Sequence, residues 1–134
     1  MNLQDIHLLL RLAGLVLCGL VLANFVAAKR FQYAENLRST DVIIRQIFHV
    51  HSAYIIAIIG GLAVLCLGSP ELLTEGKFSR VFCIFFALFW SSRVLVQLKY
   101  YDRDLRRSNR FWDVFFLCVF GFLGVVFTLT ALLP

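Results

Sequence analysis

Charged residues are scarce in this chain of 134 residues. Only 16% of the residues are charged, whereas 60% are hydrophobic. A soluble domain usually carries about 25% charged residues. The few charges also cluster in short segments, which leaves four long apolar stretches almost uninterrupted. The composition therefore excludes an ordinary soluble domain and predicts a multi-span membrane protein.

The four apolar stretches predict an all-α fold. Their apolar runs are continuous rather than alternating, which disfavours transmembrane strands. The connections are too short for a separate extramembrane domain and favour antiparallel neighbours. We therefore expect a single transmembrane domain over residues 1–134, an up-down antiparallel bundle of four helices. The predicted spans are Ile6–Ala28, Ile47–Leu67, Val81–Leu98 and Val114–Leu133.

Lysine and arginine are absent from the N-terminal tail before Arg11 and from the C-terminus. They concentrate in the first loop, residues 29–46, and in the third loop, residues 99–112, whereas the second loop balances its two basic residues with two acidic ones. Short cytoplasmic loops carry the excess of basic residues. We therefore expect loops 29–46 and 99–112 in the cytoplasm, both termini outside and a location in the plasma membrane, the inner membrane of a bacterium.

The same distribution bears on two further questions. A secretory signal peptide begins with a positively charged segment. The first stretch lacks one, and we therefore expect it to be retained as a span, although residues 26–28 would be a tolerable cleavage site. The basic residues lie beside spans, where anionic lipid head groups attract them. The net charge of +5 therefore indicates the bilayer as a partner and not nucleic acid.

Motifs for catalysis and phosphate binding are missing as well. The chain has no nucleophile elbow, zinc-protease helix, P-loop or dinucleotide fingerprint. No carboxylate lies inside a predicted span, and the third and fourth spans contain no histidine, so that a tight zinc cage or a haem between two histidines lacks ligands. A loose metal site at the edge of the membrane stays open. We expect no metal and no cofactor, and we favour a non-enzymatic protein over an enzyme.

A few polar residues interrupt the spans, and they lie at two places. His49 and His51 come early in the second span, while Arg93 and Gln97 come late in the third. Antiparallel threading places both groups at the same membrane depth. We therefore expect one polar cluster near the cytoplasmic face, which opens toward the basic loops. Its members are His49, His51, Ser52, Tyr54, Trp90, Arg93 and Gln97.

The polar cluster has several interpretations. Polar groups inside lipid need partners. One interpretation is therefore that the cluster only holds helices together by hydrogen bonds. Alternatively Arg93 binds an anionic or carbonyl group of a ligand, or extends toward the phosphates of the head groups. The histidines are open to a structural, a proton-handling or a ligating role. Two residues on a helix subtend about 200°. His49 and His51 therefore cannot ligate one ion together unless the helix is broken there.

The four cysteines fall one to each predicted span. Cys66 ends the second span and Cys83 begins the third, both near the outer face. A disulfide between them is the minority interpretation, based on an oxidising exterior. Buried thiols that act as small apolar side chains are the more common arrangement.

Two polar-interrupted segments resemble those of small, uncharacterised bacterial four-span membrane proteins. The segments are residues 45–54 and residues 87–97. The resemblance implies a bacterial inner-membrane protein and carries no activity. We expect a non-enzymatic accessory or partner subunit, either as a homo-oligomer or with another membrane protein. The alternative is a small-molecule binder or transporter with a cytoplasm-facing pocket around Arg93 and His49, as an oligomer.

Overall fold

The computed structural model describes residues 2–30, 32–100 and 110–133, and within these ranges the chain is helical with no strand. Four of the helices are long and apolar enough to cross a membrane, which confirms the predicted all-α bundle. A four-residue helix and a 3₁₀-helix lie between them. The helices are α1 (Leu3–Arg30), α2 (Tyr33–Asn36), α3 (Val42–Gly68), the 3₁₀-helix (Pro70–Leu73), α4 (Gly76–Lys99) and α5 (Arg110–Ala131).

The long helices begin and end close to the predicted positions. Asp41 is the N-cap residue of α3, although its side chain makes no capping hydrogen bond. Ser69-Pro70 ends α3, because the residue before a proline avoids helical geometry. α5 ends at Ala131, two residues before the predicted end of the fourth span. The sequence also predicts that the third helix continues past Lys99 to a turn at Ser108-Asn109. This segment lies outside the described residues.

The four long helices form two hairpins. α1 packs along α3, α4 packs along α5, and α1 and α5 join the hairpins to each other. Within the described part of the chain, α3 and α4 do not pack along each other, although they are consecutive long helices. The 3₁₀-helix bridges them at one end and also contacts α1.

Small residues account for the closeness of each hairpin. Lipid tails are as apolar as the helix surfaces, and helices in a membrane therefore associate where small side chains let the backbones approach. A Cβ atom added to Gly14 in α1 would lie only 2.7 Å from Leu67 Cγ and 3.1 Å from Cys66 Cβ in α3. A Cβ atom at Gly124 in α5 would lie 3.3 Å from Ser91 Oγ in α4. Both glycines therefore sit where two helices touch.

The buried core is concentrated toward one end of the bundle. We call the end that carries Arg30, Val42, Lys99 and Arg110 the basic end, and the end that carries the 3₁₀-helix the 3₁₀ end. The buried residues of α1 all lie between residues 6 and 20, those of α3 between 59 and 66, and those of α5 between 120 and 131. These segments lie toward the 3₁₀ ends of their helices, although Leu17 and Leu20 are just past the middle of α1. In α4, Trp90 and Gln97 are buried in the basic half as well. The hairpins therefore meet mainly in the 3₁₀ half of the bundle.

Hydrogen bonds from the 3₁₀ segment reinforce this joint. His7 Nε2 in α1 lies 3.1 Å from Thr74 Oγ1, and the Ser79 hydroxyl of α4 donates to the carbonyl of Leu72. Arg80 in α4 donates from Nε to the carbonyl of Ala131 at 3.0 Å and from Nη2 to that of Leu133 at 2.6 Å. The last carbonyls of a helix lack intrahelical donors. Arg80 therefore satisfies the end of α5.

Candidate functional site

The α4 half of the predicted cluster packs on α5. Gln97 is 4% exposed, and its carboxamide Nε2 donates to the backbone carbonyl of Asp113 at 2.7 Å and to Asp113 Oδ1 at 2.9 Å. Both acceptors belong to the first turn of α5. The two bonds therefore tie the basic ends of α4 and α5 together, where these helices have fewer buried apolar residues.

Phe120 of α5 contacts the other two cluster members on α4, Trp90 and Arg93. The Trp90 indole is 2% exposed and stacks on the Phe120 ring with 5.8 Å between ring centroids and 18° between planes. The Arg93 guanidinium carbon lies 5.3 Å from the same ring centroid. A cation over an aromatic face is attracted by the negative charge density of that face. Phe120 therefore anchors both side chains, as Asp113 anchors Gln97.

Arg93 has no anionic counterpart in the described residues. Its side chain is half-buried, and over residues 2–30, 32–100 and 110–133 its contact with Phe120 is the one polar interaction recorded for it. Arg93 lies six residues before Lys99, about 9 Å along the helix axis. A cation at that depth usually pairs with another group or reaches toward the head groups. The guanidinium N–H groups of Arg93 can therefore donate to an acceptor from outside the described residues.

Two further polar atoms on α4 are buried without a hydrogen-bond partner among the described residues. They are the indole Nε1 of Trp90, which can donate, and the carbonyl Oε1 of Gln97, which can accept. An unpaired polar atom costs more in an apolar interior than in water. The two residues are one heptad apart and share a face of α4, on which Arg93 is their neighbour by helical spacing. This face of α4 therefore carries one buried donor and one buried acceptor that the described residues leave without hydrogen bonds.

The α3 half of the predicted cluster is open. His49 and His51 are both exposed, and each bonds through Nδ1 to a carbonyl of its own helix, that of Arg45 at 2.7 Å and that of Ile47 at 2.9 Å. A carbonyl accepts only from a protonated nitrogen, and a neutral ring therefore carries its proton on Nδ1. This tautomer leaves Nε2 as an acceptor that points away from the backbone of α3.

The two sides of α3 differ in how far the chain covers them. Ser52 and Ile56, which share a face with His49, are half-buried. Tyr54, Ile55 and Ile58, which share a face with His51, are between 50% and 67% exposed. Tyr54 is the most exposed of these. The His51 side therefore faces away from the rest of the described chain.

The structure does not bring the predicted cluster together. Trp90, Arg93 and Gln97 contact α5, whereas His49, His51, Ser52 and Tyr54 lie on α3, which packs on α1. The prediction rested on equal membrane depth, and depth alone does not decide which helices are lateral neighbours. The hairpins join mainly in the opposite half of the bundle, and among the described residues α3 does not pack along α4 at the basic end.

The cysteines at the 3₁₀ end are free thiols. Cys66 and Cys83 are both buried, and the Cys83 thiol lies 3.4 Å from the carbonyl of Leu73. Each acts here as a small side chain in the core. The disulfide that was the minority interpretation is not formed in this structure.

Phe120 and Asp113, which contact the α4 members of the cluster, were not predicted from the sequence. Phe120 is one of fourteen phenylalanines, and no pattern distinguishes it from its neighbours. Asp113 did carry a signal, because it comes just before the fourth predicted span, at nearly the depth of Gln97 near the end of the third. Equal membrane depth was the reason to place α3 residues beside α4 residues. The same criterion places residues of α4 beside residues of α5 equally well.

The described residues also lack a cluster of metal ligands. In the described ranges, no group of three or more histidine, cysteine, aspartate or glutamate side chains is placed to hold an ion. The candidate site is therefore two separate surfaces, the open His51 side of α3 and the Trp90–Arg93–Gln97 face of α4 on α5. No protein-family model, no curated protein and no solved structure matches the chain.

Proposed function

We propose that the protein is a non-enzymatic partner subunit of a membrane complex, and that a transmembrane helix of another protein packs against the His51 side of α3. The single observation that carries this proposal is the open acceptor Nε2 of His51, on a side of α3 that the described residues leave uncovered. In this proposal the basic end faces the cytoplasm.

The chemistry of the bilayer supports a partner at this place. His51 lies four residues inside the predicted span edge at Ile47, about 6 Å by helical rise. Within hydrocarbon, a polar atom needs a hydrogen-bond partner from protein, because lipid tails supply none. The partner helix would bring a donor such as a hydroxyl, a carboxamide or a cation to Nε2, and small or apolar residues to Tyr54 and Ile58.

Site-specific photocrosslinking in membranes tests this proposal. A photoreactive residue at Tyr54, which is 67% exposed, is expected to give one adduct of fixed mass. The matched control is Leu88 on α4, which is also 67% exposed and should give no such adduct. A substitution His51→Ala should abolish the Tyr54 adduct, whereas His49→Ala, on the opposite side of α3, should preserve it.

The same experiment can contradict the proposal. An adduct whose mass is twice that of the chain would make the partner a second copy. Equal adducts at Tyr54 and Leu88, or an adduct that survives His51→Ala, would show nonspecific collision in the membrane. His51→Ala is expected to fold, because the ring bonds only to a carbonyl of its own helix.

A second candidate is the binding of a small molecule at Trp90, Arg93 and Gln97. It is favoured by the two buried polar atoms without partners, one a donor and one an acceptor. The His49 side of the pocket that the sequence predicted would not take part, since His49 lies on α3. Native mass spectrometry of gently extracted protein tests this candidate, which requires a stoichiometric extra mass that is not a lipid.

A further inference from the structure

A pocket of about 310 Å³ lies on the flank of α1 near the 3₁₀ end, and we call it the α1 pocket. Its lining residues are Gln4, His7, Leu8 and Arg11. They recur at intervals of three and four residues and therefore share one face of the helix. Side chains on a helix lean toward its N-terminus, so that Arg11, one turn deeper, extends toward His7. Three polar side chains thus surround one leucine.

Arg11 and Gln4 keep their polar groups free within the described part of the chain. No hydrogen bond or ion pair is recorded there for either side chain, and both are exposed. Arg11 lies five residues inside the predicted span edge at Ile6, about 8 Å by helical rise. A cation at that depth pairs with another group or reaches toward the head groups. The guanidinium of Arg11 can therefore donate to an anion from outside the described residues.

His7 contributes an acceptor to the same pocket. Its Nε2 lies 3.1 Å from Thr74 Oγ1, and the Thr74 hydroxyl donates to the carbonyl of Glu71 at 3.1 Å. A hydroxyl has one hydrogen to donate, and Thr74 therefore accepts from His7 Nε2. In the neutral ring this leaves Nδ1 as an acceptor. The α1 pocket thus combines the donors of Arg11 with acceptors at His7 Nδ1 and Gln4 Oε1.

This combination fits the head group of a phospholipid. We propose that the α1 pocket binds one phospholipid whose head group carries a hydrogen-bond donor beyond its phosphate, as ethanolamine does. The phosphate accepts hydrogen bonds from Arg11, whose planar fork of donors suits phosphate oxygens. The ammonium group donates to His7 Nδ1 and Gln4 Oε1. Each polar group that lines the pocket then has a partner.

The apolar surface next to the pocket indicates a lipid and not a free phosphate ester. Leu8 and Leu15 are each 60% exposed, and Arg11 lies between them on the same face of α1 by helical spacing. An acyl chain attached to the phosphate can lie along Leu15 and Gly19, where an added Cβ atom would meet nothing within 4 Å. A free phosphate ester would leave this apolar surface uncovered.

Native mass spectrometry with defined lipids tests the α1 pocket. The delipidated full chain is titrated in detergent micelles with dioleoylphosphatidylethanolamine or with dioleoylphosphatidylcholine, which has the same charge and acyl chains but no donor in its head group. We expect one phosphatidylethanolamine per chain, bound about tenfold more tightly than phosphatidylcholine, since a hydrogen bond to a charged group contributes about that factor. Equal binding of the two lipids, or a distribution that never saturates, would overturn the proposal.

A water-soluble head group distinguishes the lipid from a free phosphate ester. Glycerophosphoethanolamine carries the same phosphate and ammonium groups without acyl chains. It should bind at least roughly tenfold more weakly than the lipid, because it buries no apolar surface along Leu8 and Leu15. Binding as tight as that of the lipid would contradict the assignment of a lipid to the pocket.

Two variants separate the phosphate from the rest of the head group. Arg11→Gln removes the cation and should weaken the binding of both lipids about tenfold. Gln4→Met removes one acceptor and should weaken phosphatidylethanolamine about threefold without affecting phosphatidylcholine. The matched controls are Lys77→Gln, an exposed cation at the same end of the bundle, and Gln46→Met, an exposed glutamine at the basic end.

Each pattern of results has one meaning. Losses with Arg11→Gln and Gln4→Met, but with neither control, support the pocket. A loss with Arg11→Gln alone would indicate an arginine that contacts any lipid phosphate, and losses with the controls would indicate general lipid association; both contradict the proposal. Both variants are expected to fold, because neither side chain has a recorded bond within the described residues. These outcomes leave the partner helix proposed at α3 untouched, since the pocket lies on α1.

Discussion

Gln97 in α4 and Asp113 in α5 are joined by two hydrogen bonds from a single nitrogen, one to the backbone carbonyl and one to the carboxylate of Asp113. The pair is the clearest polar contact between long helices at the basic end. It closes the α4–α5 hairpin there, while α1 and α3 have no buried residue between 21 and 58.

Replacing Gln97 should weaken the α4–α5 hairpin. Gln97→Leu keeps much of the side-chain volume but removes both hydrogen bonds to Asp113. We expect a loss of roughly 0.6–2 kcal/mol in the free energy of unfolding in detergent, the range known for hydrogen bonds between membrane helices. The matched control is Asn24→Leu, because Asn24 bonds only to the carbonyl of Leu20 in its own helix. An equal loss in both variants would contradict a role in joining helices.

Two glycines of α1 should respond to alanine in opposite ways. A Cβ atom at Gly14 would lie 2.7 Å from Leu67 Cγ, whereas one at Gly19 would meet nothing within 4 Å. Gly14→Ala should therefore destabilise the α1–α3 hairpin by roughly 1–3 kcal/mol through overpacking. Gly19→Ala should be neutral or slightly stabilising, because alanine favours the helix. Unfolding in detergent measures both, and similar values for the two variants would contradict the close contact.

The orientation is tested by cysteine labelling in intact cells. With a membrane-impermeant maleimide, Glu75→Cys between the 3₁₀-helix and α4 should react from outside. Ser39→Cys between α2 and α3 should react only after the membrane is permeabilised. The four native cysteines lie within the long helices, and the unaltered chain provides the background. The reverse pattern would place the basic loops outside and contradict the positive-inside rule for this protein.

The sequence was sufficient to predict the helices but not their lateral order. Long apolar runs between charged loops determine where a chain crosses a bilayer, and all four spans were predicted on that basis. Which spans touch depends on local shape, such as Gly14 against Leu67 and Gly124 against Ser91. Hydropathy does not encode such contacts, because lipid and protein surfaces are equally apolar in the membrane.

The same limit explains the division of the candidate site. Trp90, Arg93 and Gln97 share one face of a helix by their spacing in the sequence, and all three contact α5. The further step to His49 and His51 required knowledge of the neighbouring helix. Phe120, which connects Trp90 with Arg93, gave no signal among the other phenylalanines. Whether either surface binds a ligand stays a prediction.

The joint between the hairpins has a mechanical consequence. Because α1 and α5 meet in the 3₁₀ half of the bundle, the basic half of each hairpin is a free arm beyond a pivot. A small rotation of one hairpin about this joint would change the distance between the basic ends of the hairpins more than the distance at the joint. The His51 side of α3 lies on one arm, and the Trp90–Arg93–Gln97 face of α4 lies on the other. Whatever holds either arm in place thereby sets the gap between them.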